Sequence, residues 1–352
     1  MGQNFYPVIV ESIIDERGDT KSLVFKLDEA QKDLFNFRAG QYITLKFEIE
    51  GKEERRSYSM SSAPFGEALK VSIKRVENGK VSNYVFNNIK EGDTIQVSPP
   101  EGRFIYKPNQ ETCNTVYLFG AGSGITPLMS IIKTILEKEP MSYIHLVYGS
   151  RDFDQIIFRE ELEDLSEKYQ GQLFVEHVLS RANLWTGLKG RINSNIIDAF
   201  MEKYPQRSTN AEYYLCGPGD MIDTVEQYLI EKNIDKKRIH REYFVSAQSV
   251  QDDKSNTTAM ESGKIIAHLN GERIELENNG KTIIQQLIDD GHEAPFSCSS
   301  GACATCISKV ISGTVEMEVC YALDDDEVEE GFVLACQSRM TSDHLEISFD
   351  DV

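Results

Sequence analysis

The segment PFSCSSGACATC, residues 295–306, constrains this chain more than any other stretch. Cys298, Cys303 and Cys306 are spaced C-x₄-C-x₂-C, and Cys336 follows downstream in VLACQS. This spacing suits a cluster of two irons bridged by sulfides, which needs four thiolate ligands. The loop must curl around such a cluster so that backbone N–H groups point at the sulfurs. Gly301 and the small residues Ser299, Ser300, Ala302, Ala304 and Thr305 permit that approach. The competing reading is four buried or zinc-binding cysteines. Zinc sites favour paired C-x₂-C knuckles, and only one such pair is present. The expected metal ligands are therefore Cys298, Cys303, Cys306 and Cys336. Cys320 also lies between Cys306 and Cys336, but its surroundings, MEVCYAL, read as a strand and predict a buried apolar residue.

The chain has seven cysteines, an odd number. It lacks a basic-then-apolar leader, so a disulfide scaffold is not expected. No apolar run is long enough to span a bilayer, and the expected location is the cytoplasm. A length of 352 residues exceeds one hydrophobic core and predicts two or three domains. The formal net charge of -20 argues against a nucleic-acid or anionic-membrane partner. Acids are dense toward the C-terminus, as in Asp324-Asp325-Asp326-Glu327 and Glu329-Glu330. Such a run is either a solvated surface or a face for a basic protein partner.

Residues 1–110 are rich in strand signals. PVIVESIIDE, SLVFKLD, QYITLKFEIE, ALKVSIKRV and TIQVSP alternate or carry β-branched residues, with turn residues between them. Their even spacing predicts an antiparallel β-barrel or sandwich, with one short helix over Ser82–Ile89. From 111 to 246 the pattern changes to strand–helix alternation. NTVYLFG, YIHLVYGS, LFVEHVLS and AEYYLCG are the strand runs. PLMSIIKTILEK, an amphipathic pattern, FREELEDLSEKY, NSNIIDAFMEKY and MIDTVEQYLIEK are the helical ones. This predicts an α/β parallel sheet with helices on both faces. Residues 247–262 have little hydrophobicity and no periodicity, and read as a linker. Residues 263–352 open with a hairpin signal at Asn270-Gly271 and a helix, TIIQQLIDDG.

Two further motifs lie in the first region. In Arg56-Ser57-Tyr58-Ser59, read as the start of a strand, an Arg can clamp a pyrophosphate and a Tyr ring can cover an isoalloxazine face. Ser59 can hydrogen-bond near a flavin N5. Gly79-Lys80-Val81-Ser82 stands at a helix start, where Ser82 suits the N-cap and free N–H groups form an anion site. Each motif alone also fits an ordinary half-buried strand or a solvated turn.

Together, and with Gly102-Arg103-Phe104 in that order, they resemble the ferredoxin–NADP⁺ reductase family, in which they hold FAD. The next motif, Gly120-Ala121-Gly122-Ser123-Gly124-Ile125-Thr126-Pro127, departs from the dinucleotide fingerprint G-x-G-x-x-G but resembles the family's own glycine loop. The resemblance implies that Gly120, Gly122, Gly124, Thr126 and Pro127 approach the dinucleotide. Cys216-Gly217-Pro218 is similar to the loop beside the nicotinamide, and Glu242-Tyr243-Phe244 to the strand ending near the flavin. The resemblance thus implies Ser59, Cys216 and Glu242 at the reacting centre. The last region resembles a plant-type ferredoxin domain, β-grasp-like and α+β in class. The order FAD, NAD(P), 2Fe–2S is similar to that in reductases serving ring-1,2-phenylacetyl-CoA epoxidase, steroid hydroxylases and the hybrid-cluster protein.

Two Ser-Arg pairs follow strands of the α/β region, Ser150-Arg151 and Ser180-Arg181. The family resemblance implies that Ser180 and Arg181 hold the 2′-phosphate of NADPH, whereas Asp152 and Asp154 suit an NADH ribose. The expected function is an oxidoreductase passing electrons from NAD(P)H through FAD and a 2Fe–2S cluster to a partner. That partner is an oxygenase, of phenylacetyl-CoA epoxidase type, or another electron-accepting protein such as a desaturase. The alternative is a non-catalytic redox sensor, which would not need a complete pyridine-nucleotide site.

Overall fold

The computed structural model describes residues 4–66, 68–182, 184–244 and 259–352. Contacts divide the chain into two compact units. The larger comprises Tyr6–Glu54 and Tyr58–Phe244, and the smaller includes the C-terminal residues.

The larger unit begins with an antiparallel sheet. Its strands are β1 (Tyr6–Glu16), β2 (Thr20–Lys26), β3 (Tyr42–Ile49), β4 (Lys52–Ser59), β5 (Leu69–Lys74) and β6 (Thr94–Val97). The order is β4-β3-β6-β1-β2-β5. Its two edges meet where Met60, just past β4, bridges Val71 of β5, and Ser61 N donates to Lys70 O at 2.9 Å. The sheet thereby curls into a barrel around Val8, Val10, Leu23, Phe25, Ile43, Leu45 and Val97. Alternating side chains supply that core, since a strand buries every second residue. Two helices flank it, α1 (Glu29–Leu34) and α2 (Lys80–Asn88).

The second half is a parallel sheet of β7 (Asn114–Ala121), β8 (Tyr143–Ser150), β9 (Leu173–Leu179), β10 (Leu188–Lys189), β11 (Asn210–Gly217) and β12 (Ile239–Tyr243). Helices α3 (Ile125–Lys138), α4 (Arg159–Lys168), α5 (Ser194–Lys203) and α6 (Gly219–Glu231) connect them. The strand order is β10-β9-β8-β7-β11-β12. It reverses between β7 and β11, and ligands of open α/β sheets bind outside the strand ends at such a switch point.

The expected amphipathic helix PLMSIIKTILEK is corrected here. Every residue of α3 from Ile125 to Leu136 is buried, including Lys133 at 9% exposure. Its polar side lies against protein, so the helix has no solvent face until its last turn.

The smaller unit holds β13 (Lys264–Leu269), β14 (Glu272–Glu277), α7 (Ile283–Asp289), β15 (Ile307–Ser312), β16 (Val315–Met317), α8 (Asp325–Glu329), β17 (Phe332–Leu334), β18 (Ser338–Met340) and β19 (His344–Ser348). Its main sheet runs β14-β13-β19-β15-β17, with β13 and β19 parallel and the other pairs antiparallel. Asn270 and Gly271 both have positive φ, as a two-residue hairpin turn requires. Ile283, Ile284 and Leu287 of α7 pack with Ile265, Ala267 and Ile347 of the sheet. Of the linker expected over 247–262, residues 247–258 lie outside the described residues.

Candidate functional site

Arg56, Ser57, Tyr58 and Ser59 end β4 instead of beginning a strand, because the polar run from Lys52 is already extended. Arg56, Ser57 and Tyr58 are half-buried and Ser59 is buried. Strand β4 delivers Ser59 to β12, where the hydroxyl meets Glu242 Oε2 at 3.1 Å. Glu242 in turn pairs in register with Cys216 of β11, and Cys216 with Gly120 of β7. The three expected centre residues therefore converge on the C-terminal ends of the switch-point strands.

The electrostatics of this cluster follow from burial. Desolvation pushes the Glu242 carboxyl up to about 8, with the Ser59 hydrogen bond opposing the shift. Cys216 is fully buried, and its thiol is pushed well above the usual range by desolvation and then by Glu242. A thiol so raised is neutral and unreactive as a nucleophile.

The glycine loop packs backbone to backbone against the Cys216 turn. A Cβ on Gly124 would stand 2.1 Å from Cys216 O, and one on Gly120 2.8 Å from Leu128 Cδ1. These two glycines thus serve packing within the protein. Gly122 is different. Its φ is +56, and the nearest atom to its missing Cβ is Lys74 Nζ at 4.0 Å, so this is the side of the loop open to a ligand. Tyr148 Oη donates to Gly122 O at 2.8 Å and Thr126 Oγ1 to Ser123 O at 3.0 Å, holding the turn. Pro127 sits in the first turn of α3, where its missing N–H costs nothing. Gly217 is buried and Pro218 is exposed at the N-cap of α6.

The helix start is corrected. Helix α2 begins at Lys80 with Gly79 as N-cap and no side-chain cap. Ser82 lies inside the helix, buried, where its Oγ accepts from Val76 N at 3.1 Å. Ser82 therefore fastens the preceding turn, and the helix's first N–H groups lack a serine cap. Val81 is buried, and Lys80 is exposed and paired with Glu54 at 3.1 Å.

The two Ser-Arg pairs lie side by side. Ser180 N donates to Ser150 O at 3.0 Å and Arg181 N to Arg151 O at 2.6 Å, so the ends of β8 and β9 present both arginines together, exposed. Sequence reasoning missed Lys74. It ends a barrel strand, far along the chain from the glycine loop, and no spacing signals the approach. Burial, then Arg151, pushes its ammonium down.

In the smaller unit, Cys303, Cys306 and Cys336 are buried and Cys298 is half-buried. Ser300 N and Cys303 N each donate to Cys298 Sγ at 3.4 Å. The Cys303 and then the Cys336 thiol also donate to Cys298, which holds it well below the usual thiol range. Cys336 is hydrogen-bonded to Cys306 in turn. Among the described residues no group of His, Cys, Asp or Glu is arranged for a single metal ion. The four thiols are linked in a row instead, Cys303 to Cys298 to Cys336 to Cys306, three of them from a loop whose N–H groups point at sulfur and Cys336 from just past β17. Gly301 has φ +71, and a Cβ there would come 3.0 Å from Val319 O. The donor set and the loop fit a two-iron cluster. Cys320 is corrected: it lies in the loop after β16, half-buried, instead of in a strand. Burial raises its thiol, with smaller contributions from Glu327, Asp325 and Cys306.

Three family models match the chain. They are an oxidoreductase FAD-binding domain over residues 7–106, an oxidoreductase NAD-binding domain over 118–227, and a 2Fe-2S iron-sulfur cluster binding domain over 267–341. The ferredoxin reductase component of 3-ketosteroid-9-alpha-monooxygenase from Rhodococcus rhodochrous is 36% identical, over 97% of this chain and 95% of that protein. One of the subunits of 1,2-phenylacetyl-CoA epoxidase from Escherichia coli (strain K12) is 32% identical over 98% of each. The solved structure of phthalate dioxygenase reductase covers 98% of both chains with a TM-score of 0.63 at 23% identity, a likeness of fold. The chain belongs to the ferredoxin–NADP⁺ reductase family, with a C-terminal 2Fe–2S ferredoxin domain, and is an NAD(P)H-dependent electron-transfer reductase.

Proposed function

We propose that this chain is the reductase component of an oxygenase, with its reacting centre at Ser59, Cys216 and Glu242. The observation that carries the reading is their convergence at the switch point, where Ser59 meets Glu242 at 3.1 Å beside the Cys216 turn. When bound, the cofactors supply the redox chemistry, taking electrons as a pair from NAD(P)H and releasing them singly through the cluster.

The protein's residues bind and orient. Arg56 and Tyr58 precede Ser59 on β4 and hold FAD with Ser57, while Gly79, Lys80, Val81 and Ser82 bring the first turn of α2 to its pyrophosphate. Gly120, Gly122, Gly124, Thr126 and Pro127 shape the nucleotide loop, and Cys216, Gly217 and Pro218 bound the nicotinamide end. Glu242 sets the polarity of Ser59. With the carboxylate ionised, the Ser59 hydroxyl donates to Oε2. With the carboxyl protonated, that bond can reverse and leave the Ser59 hydroxyl free to donate to a bound ring. Cys298, Cys303, Cys306 and Cys336 ligate the cluster.

The named relatives serve a ketosteroid monooxygenase and a phenylacetyl-CoA epoxidase, which supports an oxygenase partner. No helix is long and apolar enough to cross a membrane among the described residues, in keeping with a cytoplasmic reductase. For the nucleotide we favour NADPH, with Arg181 and Ser180 at its 2′-phosphate.

Anaerobic titration tests both levels. NADPH should bleach the flavin and then the cluster of the purified protein. Arg181→Ala should raise KM for NADPH by about 10- to 100-fold with little change for NADH, since a charge-assisted phosphate contact contributes about 1.5–3 kcal/mol. Equal effects on the two nucleotides would make Arg181 structural. Failure of either nucleotide to bleach the flavin would sink the reductase reading.

A further inference from the structure

Lys133 is a buried cation that the reading above does not use. It sits two turns into α3, which opens with the nucleotide loop, and is 9% exposed. Its Nζ reaches Glu161 Oε1 of α4 at 2.6 Å and donates to Ser61 O at 3.2 Å. Lys70 of β5 approaches the other oxygen of Glu161 at 3.7 Å. Ser61 and Lys70 belong to the barrel and bond to each other through their backbones, with Ser61 N donating to Lys70 O. The barrel thus presents one carbonyl and one ammonium, the α/β half presents one ammonium and one carboxylate, and the four groups interlock.

Stability alone gives no reason for this arrangement. A methionine-like side chain would fill the same volume, and replacing a buried ion pair by apolar groups is often neutral or stabilising. What an ion pair adds is direction. Its hydrogen bonds are satisfied in one register of the two surfaces and broken in others, whereas apolar contact tolerates sliding. The location of this register matters. Ser61 is two residues beyond Ser59, just past the end of β4, so a short stretch of backbone ties one to the other. At its N-terminal end, α3 follows directly on the Gly122 turn and carries Thr126 in its first turn. A displacement of α3 along the barrel therefore moves the nucleotide loop relative to Ser59.

We propose that Lys133 is a positioning residue for hydride transfer, holding α3 and its nucleotide loop in register with the flavin-side strand through Glu161 and the Ser61 carbonyl. The inference rests on the reacting centre proposed above. It concerns no contact with cofactor or nucleotide, only the alignment of the surfaces that bear them.

The experiment uses the flavin-loaded full chain and the variants Lys133→Met and Glu161→Gln. Both should keep flavin content, with a lowered melting temperature because each leaves one charge of the pair without its partner. The rate of flavin reduction by saturating NADPH in single turnover should fall by about 10- to 100-fold, because small misplacement of reacting partners costs that much. Reduction by dithionite, which needs no docking, should be unchanged. The long-wavelength absorbance that forms when nicotinamide stacks on flavin should weaken in parallel, a readout that loss of a merely structural contact would not move. Amide exchange in peptides holding Ser59–Ser61 and Gly122–Thr126 should quicken in both variants. A Lys133→Met protein with wild-type single-turnover rate and absorbance overturns the proposal. If Lys133→Met does not fold, Glu161→Gln decides alone, and a normal rate there overturns it equally. If the wild type itself is not reduced by nucleotide, the reacting centre fails first, which separates the two failures.

Discussion

At the residue scale, Glu242 shows how environment rewrites a side chain. In the sequence it is one acid among many, and only its place in Glu242-Tyr243-Phe244 marks it. In the fold it is lifted to about 8 by desolvation, half-buried on β12 with Ser59 of β4 as its hydrogen-bonding neighbour. The sign of its linkage follows. The folded apoprotein binds this proton up to about pH 8, whereas the unfolded chain releases it near the ordinary carboxyl value of 4.5. Its contribution to stability is fully present below that lower value and is lost as pH rises through about 8. Glu242→Gln removes the linkage. The melting temperature of the flavin-free variant should therefore gain on wild type steadily between pH 5 and pH 9, by a few degrees at the upper end. A constant gap across that range would show that the carboxyl is ionised throughout. The gathering of the cysteines was legible at this scale too, since the C-x₄-C-x₂-C spacing is local. Lys133 and Lys74 were not, because a lone lysine in a helix or strand gives no sign of which surface will cover it.

At the element scale, the strands and helices could be read because their periodicity is written in neighbouring residues. The barrel runs, the strand–helix alternation and the Asn270-Gly271 hairpin all appear in the structure. What could not be read was set by packing between elements. The polar residues of α3 imply a wet face, but the barrel covers it. Ser82 has the chemistry of an N-cap, yet Gly79 takes that position and Ser82 ties down Val76. The glycines of the nucleotide loop are the sharpest case. Their motif suggests a ligand cradle, and only three-dimensional contact separates Gly122, open to one, from Gly124, pressed against Cys216 O. Gly124→Ala places a methyl 2.1 Å from that carbonyl and must drive the two loops apart. Overpacking of this kind costs about 1–3 kcal/mol. The residues proposed to hold FAD on β4 and α2 lie outside the two loops, so the variant should keep its flavin while the apparent affinity for nucleotide falls about tenfold or more. Unaltered nucleotide binding would mean that the loops yield without moving the site.

At the scale of the whole molecule, net charge becomes an argument about encounter. The chain carries -20, and its smaller unit bears the run Asp324–Glu330 on and around α8. Part of that run has a local purpose. Asp324 is the N-cap of α8, Glu327 closes a capping box on it with Oε2 accepting from Asp324 N at 3.0 Å, and acids in a first turn oppose the positive end of the helix dipole. Glu329 and Glu330 have no such role. They stand exposed at the negative end of the same helix, where acids are unfavourable. The start of α8 lies near the cluster loop, since Glu327 and Asp325 act on Cys320 together with Cys306. Exposed acids beside a cluster suit a partner with a basic face, because charge steering raises association rate more than residence time. Electron transfer to the partner oxygenase should therefore slow steeply with ionic strength, as screening sets in beyond about 8–10 Å at physiological salt. Reduction of a small neutral dye should hardly change over the same range. Glu329→Gln with Glu330→Gln separates steering from capping, for it leaves the capping box intact. That double variant should lower the partner's reduction rate at low salt by several-fold and flatten its salt dependence, with cluster absorbance unchanged. If partner reduction ignores salt in the wild type, or if the double variant keeps the full slope, α8 is a solvated surface and the partner docks elsewhere.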